Sequence, residues 1–508
     1  MRNPKRSLSR LLTAIFVAAS SLGWPGTSAP SAAEMTPSMV DPNLTVRAVV
    51  TGLTTPTTMA FLGDNDFLVL EKNTGKVQHV VNGRTVGTVL NLPVNFFSER
   101  GALGVALHPD FPSNPRVFIY WSESLSGTVS GDPADVLLLG NRVDRFVWDG
   151  TKLTFEKNLI RLRAFQADPP GQPIRGNHDG GVMVFEPRRS DSDRKSSSNS
   201  DKDKDRGKAK LLILIGDVGR RGQLQNLAVG PWEPPRPDDP FGGPQPDNAH
   251  LSGAILRIND DGTVPEDNPF FEAGEETGGE PGANIQRLFA YGIRNSFGMR
   301  FDPKAGGLWI EENGDDSFDK ISRVGAGANN GWIQTMGPPS RIKDYKEIES
   351  RRISPPSLQQ ARWPASRIAD TPEEALARLV MLPGAHYNEP KFSWKFAVPP
   401  AAVGFINGPG LGPQFDGDFV TGAATTRTEG GHLFRFKLTQ DRQDIDLGAS
   451  GLAGRVAENN AKNDITGSSS LLFGRNFGIG TDIQTGPNGN LFVVSLSQGA
   501  VYEISRRT

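Results

Sequence analysis

The chain has 508 residues, a formal net charge of −2 and no cysteine. The absence of cysteine excludes disulfides, thiolate metal sites and a cysteine nucleophile. A net charge so close to zero provides no basic field that would attract a phosphate backbone, which argues against nucleic acid as a partner. We therefore expect the partner to be a small molecule or another protein.

The first 33 residues have the pattern of an export signal. Residues 1–10 are basic, residues 11–24 carry no charge, and small residues follow up to Ala33. The uncharged stretch contains Ser and Gly and is shorter than the ~20 residues that a membrane-spanning helix needs. We therefore predict a signal peptide over residues 1–33, a linker over 34–45, and an exported mature protein, periplasmic or extracellular, without a membrane span.

Short apolar runs, each followed by a turn rich in Gly, Asp, Asn or Pro, recur from about residue 46 to the end. Examples begin at Thr58 (TMAFLGDNDFLVLE), at Gly298 (GMRFDPKAGGLWIE) and at Asp482 (DIQTGPNGNLFVVS). Each run is a strand, a turn and a second strand, the local chemistry of a hairpin. Repeated units that bury their apolar faces against each other are typical of propeller blades. We predict an all-β fold, a β-propeller over residues 46–506, with a β-sandwich as the alternative that fits this length less well.

Two insertions interrupt the repeats. Residues 188–210 contain SDSDRKSSSNSDKDKDR, a mixed-charge run without an apolar residue, which cannot offset its own ordering entropy. We predict a disordered hairpin tip there, with a charged docking tail as the alternative. In the second insertion, residues 338–383, Thr371, Pro372 and Glu374 have the spacing of a capping box. This spacing predicts a short helix over one rim of the propeller, which covers apolar surface or shapes a substrate mouth.

Among the six histidines, His178 lies in the loop sequence RGNHDGG. The flanking glycines allow the backbone to approach a ligand closely, and imidazole is a suitable base for a hydroxyl proton near neutral pH. On this pattern alone, a histidine that only stabilises the turn is the alternative. His79, His108 and His432 lie in a turn or in strand-like runs, which is typical of structural histidines.

Five stretches, in order along the chain, resemble the glucose/sorbosone dehydrogenase family. They are residues 99–111 (ERGALGVALHPDF), 177–181 (NHDGG), 253–270 (GAILRINDDGTVPEDNPF), 291–303 (YGIRNSFGMRFDP) and 330–332 (NGW). The resemblance covers roughly residues 46–506. It implies a six-bladed β-propeller that oxidises sugars with pyrroloquinoline quinone (PQQ) and calcium and passes the electrons to an acceptor.

The resemblance also implies roles for individual residues. His178 matches the family's catalytic base, which removes the anomeric hydroxyl proton while hydride passes from C1 of the sugar to the quinone. Arg294 and Asn295 match a pair that contacts the cofactor, where a guanidinium stabilises charge on the reduced quinone oxygen. Glu99 and Asn177 match polar positions around the cofactor and the sugar.

Three further positions follow from the same resemblance. Trp394 matches an aromatic wall against the sugar. Gly314 and Asp315 match a turn whose backbone carbonyls hold calcium, and oxygen donors are what this hard cation prefers. The alternatives are that Arg294 and Asn295 organise a blade corner and that Trp394 belongs to the core.

The chain departs from the family at the cations that bind the cofactor. Where soluble quinoprotein glucose dehydrogenases carry Arg-x-Arg-Asp, this chain has Ile-Gly-Thr-Asp at residues 479–482, and the stretch 428–432 (TEGGH) lacks the family's lysine. Each hydrogen bond to a charged group contributes about 1.5–3 kcal/mol. PQQ binding is therefore expected to be weakened unless Arg175, Arg427 or Arg475 supplies a replacement cation.

An exported PQQ-dependent dehydrogenase that oxidises an aldose or related polyol is our leading hypothesis. The alternatives are a non-catalytic propeller that binds a carbohydrate or a protein, and a calcium-dependent lactonase, because a fold does not determine its chemistry. The retained His178, Arg294 and Asn295 favour the enzyme. The missing C-terminal arginines favour the non-catalytic protein.

Overall fold

Six β-sheets make up most of the regular structure in the part of the chain that the computed structural model describes. The described residues are 36–165, 176–187, 207–219, 250–351, 368–424, 430–448, 451–452 and 454–507. All of them except Thr36 belong to one unit that begins at Pro37. No helix within these ranges is long and apolar enough to cross a membrane. The predicted signal peptide lies outside the described residues, as does most of the charged insertion (188–206).

Sheets 1 and 2 are four-stranded antiparallel meanders in which each strand pairs with the next along the chain. The turn Asn82-Gly83 joins two strands of sheet 1 with both residues at positive φ, +48° and +75°, which is the backbone that a tight two-residue hairpin requires. The strands of sheet 1 are Pro56–Gly63, Asp66–Glu71, Lys76–Val81 and Arg84–Asn91. Those of sheet 2 are Ala102–Leu107, Arg116–Ser124, Val136–Trp148 and Leu153–Leu162.

Sheets 3 and 4 begin with antiparallel strands and end in short strands that pair in parallel. The strands of sheet 3 are Met183–Phe185, Lys210–Ile215, Ala254–Asn259, Leu288–Tyr291, Ala328–Asn329 and His386–Tyr387. The strands of sheet 4 are Met299–Phe301, Leu308–Glu312, Ser317–Val324, Phe392–Phe396 and Val456–Ala457.

The beginning of the chain completes the last two sheets. Ser38–Met39 pairs with Arg475 and Gly474 in sheet 5, and Leu44–Val50 pairs with Ala500–Arg506 in sheet 6. The segment 34–45, predicted as a linker, is therefore partly strand. The other strands of sheet 5 are Pro400–Phe405, Phe419–Ala423, His432–Leu438 and Leu472–Arg475, with Ile445–Asp446 beside the third. The other strands of sheet 6 are Gly480–Thr485 and Leu491–Ser495.

Apolar side chains fill the space between successive sheets, including the space between sheet 6 and sheet 1. Met59 and Phe67 of sheet 1, for example, pack with Phe492 and Val494 of sheet 6. Central strands consequently read as continuous apolar runs, as in Lys210–Ile215, because both of their faces are covered. The fold is an all-β propeller in which each sheet is stabilised by burial against its two neighbours.

The described α-helices are short and lie in connections between strands. Two follow one another at Phe271–Thr277 and Gly279–Ile285, and two belong to the second insertion, Ile342–Glu349 and Pro372–Ala377. The Thr371 side chain accepts a hydrogen bond from the Glu374 amide at 3.2 Å, as the capping pattern predicts. The Glu374 carboxylate reaches the amide of Asp370 rather than that of Thr371. The insertion helices pack on an apolar cluster that includes Trp332.

Candidate active site

The loop that carries His178 lies just before the innermost strand of sheet 3, in a backbone conformation that side chains rarely adopt. His178 has φ +64°, a region that costs a non-glycine residue energy and is common at functional sites. Gly216 faces this loop, and a Cβ atom there would clash with the carbonyl oxygens of His178 and Arg294. The absence of a side chain at Gly216 thus lets the His178 loop approach the segment that carries Arg294.

The imidazole of His178 is held by a buried carboxylate. Its Nδ1 lies 2.5 Å from Oδ1 of Asp217, and the Asp217 side chain has no exposed surface. The other oxygen, Oδ2, accepts a 3.0 Å hydrogen bond from Nε1 of Trp332. Because a carboxylate can only accept, Nδ1 carries a proton, and in the neutral imidazole Nε2 carries the lone pair. No partner of Nε2 is found among the described residues, so this nitrogen is available as a base.

Glu99 connects the His178 loop to the segment that follows sheet 3. Its Oε2 accepts hydrogen bonds from the His178 amide at 2.7 Å and from Nδ2 of Asn295 at 3.1 Å. Oδ1 of Asn295 is buried and has no partner in the described structure. The side chain of Asn177 lies over Gly219, where a Cβ atom would clash with its Oδ1. The structure thus brings together four of the predicted residues, Glu99, Asn177, His178 and Asn295.

Arg294 lies on the other side of the Asp217 and Trp332 pair. Its Nη1 donates to the carbonyl of Asn313 at 2.9 Å, its Nη2 pairs with the Asp315 carboxylate, and its Cζ lies 5.6 Å from the centre of the Trp332 ring. Burial lowers the pKa of Arg294, but Asp315, Asp217 and other carboxylates raise it by more, so this pKa is above its ordinary value. Nε is buried and has no partner within the described ranges. Arg294 is therefore a permanent positive charge with one N–H group unused.

A cavity of about 340 Å³ opens beside these residues, where the innermost strands of the six sheets meet. Glu99 and Asn313 line it directly, whereas His178 and Arg294 contact these two residues and do not themselves line the cavity. Each sheet contributes a residue of its innermost strand to the wall: Thr58, Gly104, Met183, Arg300, Val403 and Asp482. The site thus lies at the centre of the propeller, the position where this architecture leaves a channel.

The cavity wall carries two cations that the sequence patterns did not suggest. Lys72 has its Nζ 2.8 Å from the carbonyl of Ser98, and burial lowers its pKa to about 8 against the opposing charges of Asp179 and Glu99. Arg300 donates from Nη2 to Oδ1 of Asp482 at 2.6 Å. Ile479 and Thr481, which stand where the family has arginines, also line this cavity.

None of the three arginines that the sequence suggested as replacement cations is among the described residues that line the cavity. Arg175 and Arg427 lie outside the described residues. Arg475 is exposed at the end of the strand Leu472–Arg475, between Ser38 and His432, and does not line the cavity. Within the described chain, Lys72 and Arg300 are the cations that face this space.

Trp394 lies in the hydrophobic core between sheets 4 and 5. Its side chain is fully buried, and its ring centre is 4.9 Å from that of Phe392 and 5.5 Å from that of Phe434. It belongs to the fourth strand of sheet 4, Phe392–Phe396, whereas the first strand of that sheet lines the cavity. The structure does not bring Trp394 to the cavity, because three strands separate it from the central space.

The turn that contains Gly314 and Asp315 contacts Arg294, and two oxygens of Asp315 already have cationic partners. The Asp315 carboxylate pairs with Arg294, and the Asp315 carbonyl accepts a 2.7 Å hydrogen bond from Nζ of Lys462. In the described parts of the chain, no group of three or more His, Asp or Glu side chains could hold a metal ion. Because the Asp315 carbonyl is already engaged by the Lys462 ammonium, the turn as it stands does not fit calcium.

Asp179, next to His178, is a buried acid whose ionisation affects stability. Its Oδ1 accepts from Nδ2 of Asn141 at 2.9 Å, and its Oδ2 is buried without a partner in the described structure. Burial raises the pKa of Asp179 to about 7, and the charge of Arg100 only partly opposes this shift. Because the unfolded chain loses this proton near pH 4, the folded state binds more protons between about pH 4 and 7. The contribution of Asp179 to the free energy of unfolding is thus full at low pH and is lost as the pH rises to 7.

We expect Asp179→Asn to remove this pH dependence, because the amide keeps the acceptor for Asn141 and cannot ionise. Compared with the wild type, the free energy of unfolding of the variant should rise between pH 4 and pH 8 by up to about 4 kcal/mol, at ~1.4 kcal/mol per pKa unit. Urea unfolding at both pH values measures this difference, with the exposed Asp64→Asn as the control. Equal pH dependence in the wild type and Asp179→Asn would contradict the assignment.

Besides Lys72 and Arg300, the sequence patterns missed two residues next to His178 and Arg294. Asp217 follows the apolar strand Lys210–Ile215 in an ordinary Gly-Asp pair, and only its contact with His178, 39 positions away, shows its role. Trp332 was part of the Asn-Gly-Trp resemblance, but no function was attached to it. One local pattern could have indicated a role for Asp217. Its carboxylate comes just after a buried strand, at the end of the strand that faces the candidate base.

The sheets around one cavity and the polar residues at its edge define a β-propeller with a central binding site. The profile of the Glucose / Sorbosone dehydrogenase family matches residues 53–221 and 239–353, more than half of the chain. The chain therefore belongs to the glucose/sorbosone dehydrogenase family.

Individual relatives agree with this assignment. The chain is 25% identical over 474 residues to an uncharacterized protein of Synechocystis sp., covering 89% of this chain and 84% of that protein. It is 28% identical over 301 residues to quinoprotein glucose dehydrogenase B of Acinetobacter calcoaceticus, covering 58% of this chain and 53% of that enzyme. The crystal structure of the soluble aldose sugar dehydrogenase of Escherichia coli in its apo-form superposes with a TM-score of 0.55 at 21% identity, covering 91% of this chain and 100% of that one. The chain thus spans about half the length of the Acinetobacter enzyme and shares its fold with the Escherichia coli one.

Proposed function

We propose that this protein is a PQQ-dependent sugar dehydrogenase that oxidises an aldose or related polyol at C1. The observation that carries the proposal is the buried Asp217 carboxylate on Nδ1 of His178, which leaves Nε2 to act as a base. The amide of His178 contacts Glu99, which lines the central cavity. A base in this state suits removal of a hydroxyl proton. The names of the Acinetobacter and Escherichia coli relatives, a quinoprotein glucose dehydrogenase and an aldose sugar dehydrogenase, support the substrate class.

The six sheets are proposed as the six blades of the propeller. The clusters between successive sheets and the pairing of Leu44–Val50 with Ala500–Arg506 support a ring closed by the two ends of the described chain. We also propose that residues 1–33 direct export and that an external acceptor removes the electrons.

The described residues fit a quinone with several carboxylates. Nε of Arg294 and Oδ1 of Asn295 are buried polar atoms without a partner in the described structure, as expected beside a group that is to be bound. Lys72 and Arg300 place two cations on the cavity wall, which suits an anionic ligand. These four residues would hold PQQ, and Lys72 and Arg300 would replace in part the cations that Ile479 and Thr481 do not provide.

When bound, PQQ supplies an acceptor for the hydride that leaves C1 of the sugar. His178 takes the proton of the C1 hydroxyl at Nε2, while Asp217 stabilises the imidazolium that results. Arg294 keeps its charge at every physiological pH because its pKa is raised, and it favours negative charge that develops near Asn313. Trp332 fixes the second oxygen of Asp217 and packs against Arg294, so it orients both groups.

Titration of the purified mature protein with PQQ tests whether the cavity binds the cofactor. We expect saturable quenching of tryptophan fluorescence with a micromolar Kd, because Lys72 and Arg300 replace only part of the arginine clamp. Arg300→Met should weaken this binding, whereas Arg116→Met, on the outer part of sheet 2, should not. Absence of saturable binding at high micromolar PQQ would contradict the proposal and favour a non-catalytic propeller.

A further inference from the structure

The turn at residues 313–316 is surrounded by donors that belong to the protein itself. Nη1 of Arg294 donates to the Asn313 carbonyl at 2.9 Å, and Nζ of Lys462 donates to the Asp315 carbonyl at 2.7 Å. The same ammonium lies 2.7 Å from Oδ1 of Asp316. Lys462 thus contacts one carbonyl and one carboxylate of the turn, the two kinds of oxygen that a metal cation would use.

The position of Lys462 is built into the fold, because its loop is tied to the end of the fourth strand of sheet 4. Asn459 exchanges two 2.8 Å hydrogen bonds with the backbone of Phe396, and the amide of Asn463 donates to the carbonyl of Ala397 at 2.8 Å. The amide of Ala397 in turn donates to the carbonyl of Asp316 at 3.0 Å. The loop of Lys462 and the turn therefore share one backbone support, which fixes the distance between them.

Two carboxylates at the turn already have cationic partners. The Asp315 carboxylate pairs with Arg294 and the Asp316 carboxylate with Lys462. Oε1 of Glu349 accepts three hydrogen bonds from the turn, from the amides of Asp316 and Ser317 and from the Ser317 hydroxyl, at 3.1, 3.0 and 2.7 Å. A calcium ion would need to lie about 2.3–2.6 Å from the Asp315 carbonyl oxygen. At that distance it would stand close to the Lys462 ammonium, and the two like charges would repel each other.

We propose that the Lys462 ammonium is the resident cation of this turn, so that the turn does not take up calcium. Lys462 holds the Asp315 carbonyl and the Asp316 carboxylate, and through them it supports the Asp315 side chain that pairs with Arg294. This inference rests on the proposed function in one respect: the family resemblance behind that function places calcium at this turn. Removing the ammonium should therefore create calcium affinity where the wild type has none.

Calcium titration of the full mature protein, followed by calorimetry without quinone or sugar, tests the inference. We compare the wild type with Lys462→Met and with the matched control Lys395→Met, which removes a surface ammonium paired with Glu458 rather than with the turn. The wild type and the control should show no saturable calcium binding below millimolar concentration. Lys462→Met should bind calcium at least tenfold more tightly than either, because the Asp315 carbonyl and the Asp316 carboxylate become free.

Two results would overturn the inference. One is micromolar calcium binding by the wild type that Lys462→Met leaves unchanged. The other is a folded Lys462→Met protein with no gain in calcium affinity. Because 47% of the Lys462 side chain is exposed, its replacement should leave folding intact. Thermal unfolding checks this, and Lys462→Gln, which keeps a donor without the charge, serves if the Met variant is unstable. A protein that fails to bind PQQ can still give the expected calcium result, so the two proposals fail separately.

Discussion

His178→Asn is expected to lower sugar-dependent dye reduction by the quinone-loaded protein by ~10²–10⁴-fold, the contribution of a positioned general base. Asparagine is the informative replacement because it tolerates the positive φ of this position. Its side-chain amide can still donate to Asp217 in the place of Nδ1. What it lacks is a basic atom in the place of Nε2, so the variant removes the proton acceptor and keeps the hydrogen bond.

Quinone binding and thermal unfolding are the controls for this variant. Both should match the wild type, because the His178 amide still donates to Glu99 and the loop keeps its backbone. His79→Asn, which changes a histidine in the outer part of sheet 1, should retain full activity. A rate for His178→Asn close to that of the wild type would rule out His178 as the base.

Asp217→Asn is expected to lower kcat by about 10²-fold or more and to leave the KM for the sugar nearly unchanged. Asp217 accepts from His178, from Trp332 and from the Gly219 amide at 2.9 Å. An amide has one oxygen and one NH₂ group, so one of the two facing ring donors would lose its acceptor. The imidazole is then no longer held with its proton on Nδ1, and the base at Nε2 is lost in part of the molecules.

Asp217 is a positioning residue, so its test needs a readout that a purely structural role would not move. The pH dependence of kcat should change in Asp217→Asn, since the carboxylate also stabilises the charged imidazole. Trp332→Phe removes only the indole donor and should cost less than Asp217→Asn. An unchanged pH profile together with a loss of thermal stability would instead indicate that Asp217 acts on folding alone.

Much of the fold could be predicted because hairpins are local. The turn Asn82-Gly83 and the alternation of apolar runs with turns identify strands from neighbouring residues alone. The closure of sheet 6 could not be predicted in this way, because Leu44 pairs with Arg506 at the opposite end of the chain. Residues 46–50 of this strand lie within the predicted propeller, but their local pattern does not indicate a partner strand near the other end of the sequence.

The site was predictable only where a residue lies in a distinctive local motif. His178, Asn177, Glu99, Arg294 and Asn295 were predicted from such motifs, and the structure places them in one region of the fold. Asp217 and Lys462 act through contacts with residues 39 and 146–147 positions away, which no local pattern contains.

Trp394 shows the opposite case, because its motif match indicated the sugar site and its surroundings indicate the core. The position of Trp394 in the sheet, among Phe392, Phe434 and Phe436, decides its burial. A motif match does not show how many strands separate a residue from the central cavity, because this distance depends on how the preceding strands are connected.

The most direct test of the proposed dehydrogenase activity is sugar-dependent dye reduction by the mature protein after incubation with PQQ, measured over a panel of aldoses. We expect saturable reduction with at least one aldose, its loss in His178→Asn, and no effect of a calcium chelator, because Lys462 serves as the cation of the turn. No reduction with any aldose by a protein that binds PQQ would contradict the proposed dehydrogenase activity.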